Sequence, residues 1–436
     1  MDLLDQVRAA GVVGAGGAGF PTHLKLRNRA EVLILNACEC EPLLKADQQL
    51  LVHHGDKVLE GLALAAGQLR AERVAIGLKA KYKSVLEAIE PPAAERRMEI
   101  IPLGDHYPVG DEHILVKEIT GRTVPPGGIP LQVGTVVLNV ETAFNIANAA
   151  SSRPVTEKFL SVAGAVRSPC TLRVPVGTPL KACIEAAGGP TCEDHVLAVG
   201  GPMTGTFTKD AGLPVDKRTK AVVVVPAGNR IAQNAFLSLH AMSRRTGTAC
   251  CLCRACTDLC PRYLLGHPIE PHKVMRAIAH FALADLNLLK MSLLCSECRV
   301  CDRYACPMDL CPGGVMGEIK RVLLGQRVTA EWRLRDDAIA FDGRRIPTSR
   351  LVARLGLNAY DRDAPLLPRA VETRTVVLPL AQHYGAPALP TVKVGDRVKV
   401  GDMVAEAAQR APGAHVHASI PGVVTKVNSS ITIEAL

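Results

Sequence analysis

Residues 31–42 read EVLILNACECEP. A short, compact apolar run of this kind, Glu31 to Ala37, predicts a strand buried on both faces, as in a parallel sheet covered by helices. The run ends in a cluster of polar groups, Asn36, Cys38, Glu39, Cys40 and Glu41. Ligands of α/β sheets bind beyond the carboxyl ends of strands, so this cluster is a candidate crevice, with a solvated loop as the alternative. Outward from the run, helices and strands alternate. Helices are expected at about 47–69, 84–89 and 143–150, and strands at 74–78, 98–102 and 135–140. That alternation predicts an α/β domain with a largely parallel sheet.

Upstream, residues 2–10 read as a short helix, followed by a glycine-rich loop, Gly14-Ala-Gly16-Gly17-Ala-Gly19-Phe20-Pro21-Thr22. Gly14-x-Gly16-x-x-Gly19 matches the dinucleotide fingerprint by letter, but that fingerprint needs a strand before it and a helix after it. Here a helix precedes it and Pro21 follows, so a simple Rossmann reading is weak. A glycine loop whose backbone approaches a phosphate closely remains a sound expectation. Two further polar groups stand out, Tyr107 with Gly110, Asp111 and Glu112, and the strand-end Asn139 with Glu141 and Thr142.

The 436 residues allow two to four domains, and 48% hydrophobic with 21% charged residues is an ordinary globular balance. Lys plus Arg exceed Asp plus Glu by 51 to 42, a formal charge of +9, yet the basic residues are dispersed and the aromatics that would stack on bases are few. Nucleic-acid binding is therefore not expected. No apolar run is long enough to span a bilayer, and the opening MDLLDQVRAAG lacks the apolar core of a signal peptide, so a cytoplasmic location is expected.

Ten of the 15 cysteines fall between Cys250 and Cys311. In a large chain without a secretion signal, such density argues for metal ligation over disulfides. Cys250, Cys253, Cys256 and Cys260-Pro261 form the C-x2-C-x2-C-x3-C-P run of bacterial ferredoxins. A second run, Cys295, Cys298, Cys301 and Cys306-Pro307, follows about 45 residues on, which predicts two [4Fe-4S] clusters. By the crossing of the fourth ligand in two-cluster ferredoxins, Cys250, Cys253 and Cys256 pair with Cys306, and Cys295, Cys298 and Cys301 with Cys260. Cys311-Pro312 is a rival for the place of Cys306, and zinc ribbons are the competing use of C-x2-C pairs. The five other cysteines read as small buried hydrophobes.

Changes of texture divide the chain into an α/β domain over 1–152, a small α+β domain over 153–228 and a helical, cysteine-rich module over 229–325. A connecting segment with little periodicity follows over 326–370, and short strands with Val-Gly-Asp turns fill 371–436.

Five segments in order, GAGGAGFPTHLKL, NACECEP, YPVGDEHILVKEITG, PPGGIP and NVETAF, resemble the FMN- and NADH-binding domain shared by the flavin protein of respiratory complex I and the C components of Rnf complexes. The resemblance implies FMN held by Gly14, Gly16, Gly17, Gly19, Lys25, Asn36, Asn139 and Thr142, with Gly110 and Glu112 in the same cofactor-binding set. It places Glu39 and Glu41 as catalytic acids near the nicotinamide, and Phe20 and Tyr107 at the border of the pocket. The complex I flavin protein has an aspartate where this chain has Cys38. Residues 155–225 resemble a soluble-ligand-binding β-grasp (SLBB-like) domain. The stretch from Val394 to Val424 resembles the barrel-sandwich hybrids of biotinyl and lipoyl carriers, but Val404 to Ile420 lacks a carrier lysine.

This module order resembles the corrinoid reductases of propanediol-utilisation microcompartments. It implies an NADH-dependent flavin and iron–sulfur oxidoreductase with cobalamin as acceptor. A corrinoid adenosyltransferase and shell proteins are the implied partners, and a microcompartment the implied site. The C component of a membrane-bound Rnf complex, passing electrons between NADH and ferredoxin, is the alternative, although such proteins usually carry the barrel-sandwich domain ahead of the flavin domain. A non-enzymatic corrinoid-binding or zinc-stabilised scaffold is a third.

Overall fold

The computed structural model describes residues 2–279, 285–336, 341–368 and 371–436. The first domain begins with α1 (Leu3–Ala9), whose amino end is capped by the Asp2 carboxylate accepting from the Asp5 amide, and with α2 (Thr22–Lys25) after the glycine loop. Then come β1 (Val32–Ala37), α3 (Ala46–Leu69), β2 (Arg73–Lys79), α4 (Lys83–Glu95), β3 (Glu99–Leu103), β4 (His106–Tyr107), α5 (Glu112–Thr120), β5 (Thr135–Asn139) and α6 (Val140–Ala150).

Four of these strands form one parallel sheet in the order β3-β2-β1-β5. Leu33 and Leu35 of β1 face a core shared with Leu50, Leu59 and Ile146, while Val32 and Ile34 face Leu115, Val116 and Val124 on the opposite side. Both faces are covered, which is why the strand reads as a continuous apolar run rather than an alternating one. The strand order reverses between β1 and β5, and their register sets Asn36 beside Asn139. Such a reversal opens a crevice at the carboxyl edge of the sheet. Helices α3 and α6 approach closely because of Gly61, where a Cβ would lie 1.8 Å from the Ala143 carbonyl.

The sequence periodicity ends α4 at Ile89, ahead of Pro91-Pro92, but the helix runs on to Glu95. Val85, Ile89 and Ala93 are buried on one face at four-residue spacing, and that burial offsets the hydrogen bonds the prolines cannot make.

The second domain contains β6 (Glu157–Gly164), β7 (Cys170–Pro175), α7 (Leu180–Ala186), β8 (His195–Val199), β9 (Thr206–Thr208) and β10 (Ala221–Pro226), with sheet order β7-β6-β10-β8-β9. Cys170 and Cys183 are buried in its apolar core. The cysteine-rich module is helical, its longest helices being Leu239–Ala249, Pro271–Ala279 and Pro312–Gly325. The carboxyl-terminal domain packs a four-stranded against a three-stranded antiparallel sheet around Val376, Val404, Val424 and Ile433.

One expectation needs correcting. The stretch read as a connecting segment is built into the fold: Ile346–Pro347 pairs antiparallel with β4, and the helix Thr348–Arg354 buries Leu351 and Val352 in a cluster with Tyr107, Val223 and Val300. The helix is only seven residues long, too short to reveal a 3.6-residue period among the surrounding Arg and Asp. Among the described residues no helix is long and apolar enough to cross a membrane.

Candidate functional site

The glycine loop closes on itself above the carboxyl edge of the sheet. The Gly14 amide donates to the Phe20 carbonyl at 2.9 Å, and the Gly19 amide to the Gly14 carbonyl at 3.1 Å. At its far tip, Gly17 has φ +114°, a left-handed conformation suited to glycine, and a Cβ there would meet open space. Gly16, Gly17 and Ala18 are exposed. Gly16 lies against Asn139 at the end of β5, and the Lys25 ammonium is held on the same strand, donating to the Val137 carbonyl at 2.7 Å and to the Glu112 carboxylate at 3.1 Å. Both charged side chains keep solvent access. Bare backbone next to a lysine is a donor set matched to a phosphate, so these residues fit the phosphate-bearing end of a flavin nucleotide.

The other residues singled out from the sequence converge on the same crevice but serve as its frame. Asn36 donates to the Gly110 carbonyl at 2.8 Å and accepts from the Cys38 amide at 3.3 Å. Asn139 caps α6 by accepting from the Glu141 amide and donates to Asp47 at 2.9 Å. Thr142 accepts from the Ala15 amide at 2.9 Å, holding the glycine loop. Gly110 is needed for close packing, since a Cβ there would stand 2.9 Å from the Cys40 sulfur.

Neither Glu39 nor Glu41 presents a free carboxylate to the crevice. Glu39 accepts from the backbone amide and side chain of Gln48 and from the Asp47 amide at the start of α3. Burial, aided by the neighbouring Asp47 charge, raises its pKa. Glu41 accepts from the Met203 and Thr204 amides and the Thr204 hydroxyl, which fastens the β-grasp domain to the flavin-type domain. Burial raises its pKa against the pull of those donors. Phe20 stands at the rim with its ring centroid 5.8 Å from that of Tyr384, from the carboxyl-terminal domain.

Beneath the loop lies a buried ionic seam. Lys158 of β6 pairs with Glu141 and also reaches the Ala15 carbonyl at 3.5 Å. Lys220, immediately before β10, pairs with Asp47 and lies 3.6 Å from Glu141. Burial works to lower both lysine pKa values, and the balance differs. Lys158 ends below the ordinary value, whereas the Asp47, Glu141 and Glu39 carboxylates together hold Lys220 above it. Among the described residues Lys217, which is buried, meets two carbonyl acceptors, Gly11 and His415, and burial pushes its pKa down to about 7.

The cysteines stand in two groups. Cys250, Cys253, Cys256 and Cys306 line one small cavity of about 30 Å³, together with Cys251, Leu252, His272, Met275 and Met308. Cys260, Cys295, Cys298 and Cys301 are close enough to influence one another's ionisation. Cys311 instead neighbours Asp302 and the guanidinium groups of Arg245 and Arg299, while Cys251, exposed like Cys253, sits on the edge of the first cavity. Among the described residues no three ligand-type side chains converge on a single metal-ion position. Open quartets of sulfur donors suit a cubane, whose four thiolates attach at separate corners.

Two contacts join the second quartet to the crevice. The Tyr107 hydroxyl donates to the Cys298 carbonyl at 2.8 Å. Arg262, two residues after Cys260, pairs with Asp111, which caps α5.

Cobalamin reductase PduS of Salmonella typhimurium is 40% identical to this chain over 435 residues, 99% of this chain and 96% of the relative. The Citrobacter freundii protein of the same name is 41% identical with the same coverage. The chain belongs to the PduS cobalamin reductase family. Four family models match this PduS-family chain: the Nuo51 FMN-binding domain over 7–148, the SLBB domain over 159–207, the 4Fe-4S dicluster domain over 249–311 and the RnfC barrel sandwich hybrid domain over 363–435. It is thus a flavin and iron–sulfur protein of four domain types, as its sequence implies. The C component of the Na(+)-translocating ferredoxin:NAD(+) oxidoreductase complex of Acetobacterium woodii is 34% identical over 58% of this chain and 56% of its own. A solved NAD+-reducing [NiFe]-hydrogenase aligns with TM-score 0.49 and 22% identity over 83% of this chain and 67% of that one.

Sequence reasoning missed Asp47, Lys158, Lys220, Arg262 and Tyr384. Lys158 and Lys220 did leave a trace, each a lysine just ahead of a mainly apolar run, 159–164 and 221–226. Their partners lie 17 and 173 residues away, so only the fold identifies the pairs.

Proposed function

We propose that this chain is an NADH-dependent cobalamin reductase that passes electrons through FMN and two [4Fe-4S] clusters. The observation that carries the reading is the joint between crevice and cysteines: Lys25 pairs with Glu112, its neighbour Asp111 pairs with Arg262, and the Arg262 backbone amide donates to Cys260. The cobalamin acceptor is supported by the PduS relatives, matched over nearly their full length.

Flavin, when bound, accepts a hydride as two electrons and releases them singly to iron–sulfur centres. Gly14, Gly16, Gly17 and Gly19 would offer backbone to its phosphate, and Lys25 would neutralise that charge while Glu112 orients the ammonium. Asn36, Asn139 and Thr142 position the crevice walls. Glu39 and Glu41, proposed from the sequence as acids near the nicotinamide, are better assigned as positioning residues for α3 and the β-grasp domain. Phe20 borders the entrance. Cys250, Cys253, Cys256 and Cys306 would hold one cluster, and Cys260, Cys295, Cys298 and Cys301 the other. A corrinoid adenosyltransferase and microcompartment shell proteins would be the partners of such an enzyme.

The test is anaerobic NADH oxidation with cob(III)alamin or cob(II)alamin, compared with ferredoxin and quinone. Reduction of the corrinoid at the highest rate supports the proposal. Reduction of ferredoxin alone would replace it with the Rnf-type reading.

A further inference from the structure

We infer that the two cysteine quartets act in the reverse of their order along the chain. The quartet of Cys260, Cys295, Cys298 and Cys301 receives electrons from the flavin crevice, and the quartet of Cys250, Cys253, Cys256 and Cys306 delivers them at the surface. This inference rests on the functional reading above and adds a direction to it.

The second quartet is the one against the flavin-type domain. Tyr107 reaches the Cys298 carbonyl, Asp111 holds Arg262 beside Cys260, and Tyr107, Val300, Cys40 and Cys298 share one apolar cluster. Cys260 and Cys301 are buried, as is Cys306 of the first quartet, and the difference in exposure lies at Cys253. The adjacent Glu112 holds Lys25 of the crevice. Among the described residues, those lining the first quartet's cavity, by contrast, all come from the span 250–312, and none from the flavin-type domain. Its rim is open: Cys253 is exposed, and Leu252 and Met308 are 55% and 43% exposed. Electron transfer weakens steeply with distance, so the quartet packed on the crevice is the natural first acceptor and the exposed one the natural donor to a diffusing molecule.

The electrons balance. One NADH yields NAD+, a proton and two electrons. Each cluster carries one electron at a time, so two cob(III)alamin become two cob(II)alamin per NADH.

The experiment compares full-length, cofactor-loaded Cys253→Ser and Cys298→Ser with the parent protein, with flavin and iron assayed first. Rapid mixing with NADH under anaerobic conditions is read by absorbance and by freeze-quench EPR. Cys253→Ser should lose one cluster's EPR signal yet keep the parent rate of reduction of the remaining cluster, while cobalamin reduction slows about tenfold or more. Cys298→Ser should slow reduction of the remaining cluster by NADH about tenfold or more. The opposite pattern would overturn the order.

Because Cys298 packs in the interior and its variant can fail to fold, a second measurement uses the parent protein. A soluble dysprosium complex should broaden the EPR signal that Cys253→Ser lacks and spare the other, and broadening of the other would reverse the assignment. A parent protein without flavin, or without about eight irons, would overturn the functional reading itself. A fully loaded protein with the opposite pattern overturns only the order.

Discussion

The loop of residues 14–20 offers bare backbone outward, and the Lys25–Glu112 pair at the neighbouring strand β5 is half-exposed; on its inner side the loop meets Lys158, paired with Glu141, both about 1% exposed. An exposed ion pair contributes about 0–1 kcal/mol, because water screens it and the side chains lose entropy. Breaking a buried pair by removing one partner costs about 3–5 kcal/mol, because a desolvated charge is left behind. The outer charges are therefore available to a ligand, and the inner ones hold the loop on the β-grasp domain. The seam also ties together two domains of separate families. The flavin-type domain supplies Asp47 and Glu141, and the β-grasp domain supplies both lysines.

The largest expected effect is on the inner side. Lys158→Met should lower unfolding free energy by about 3–5 kcal/mol, measured by urea titration of the apoprotein, and adding Glu141→Gln should recover part of the loss. A loss under about 1 kcal/mol would mean that the seam behaves like a surface pair.

Next, on the outer side, Lys25→Met should weaken FMN binding by about 10- to 100-fold, the worth of a charge-assisted hydrogen bond, while apoprotein stability changes by less than about 1 kcal/mol. Fluorescence titration of FMN checks the first part. Unchanged affinity would remove Lys25 from the phosphate site.

A third test uses pH. Lys217 has a folded-state pKa of about 7 against an ordinary 10.5, so between those values the unfolded chain binds more protons and stability rises with pH. The penalty of burying this lysine is complete below about pH 7 and fades as pH climbs toward about 10. The parent protein should therefore gain about 1 kcal/mol per pH unit relative to Lys217→Met across that window. Parallel stability curves for the two would show Lys217 to be paired or hydrated.

The smallest effect is at the rim, where Tyr384→Ala should cost no more than about 0.5–1.5 kcal/mol from loss of the Phe20 contact, readable as a small shift in thermal midpoint. A larger shift would make the carboxyl-terminal domain part of the loop's foundation.

Local chemistry made much of this protein legible. The run from Val32 to Leu35 announces a doubly covered parallel strand, because burial on both faces leaves no polar alternation. The spacing of Cys250, Cys253 and Cys256 announces iron–sulfur chemistry, because a cubane needs ligands on one tight loop. Asn36 and Asn139 were recognisable as strand ends, and the glycine loop as a close-approach surface.

The tertiary structure decided what no local pattern encodes. It determined that Asn36, Glu39 and Asn139 frame the crevice, that Glu41 holds a neighbouring domain, and that Ile346 to Arg354 belongs to the core. It also set which quartet of cysteines lies against the flavin-type domain. The physical reason is the same in each case. Ligand spacing and strand burial are properties of neighbours along the chain, whereas a buried charge, a capped helix or a docked quartet is defined by partners tens to hundreds of residues away.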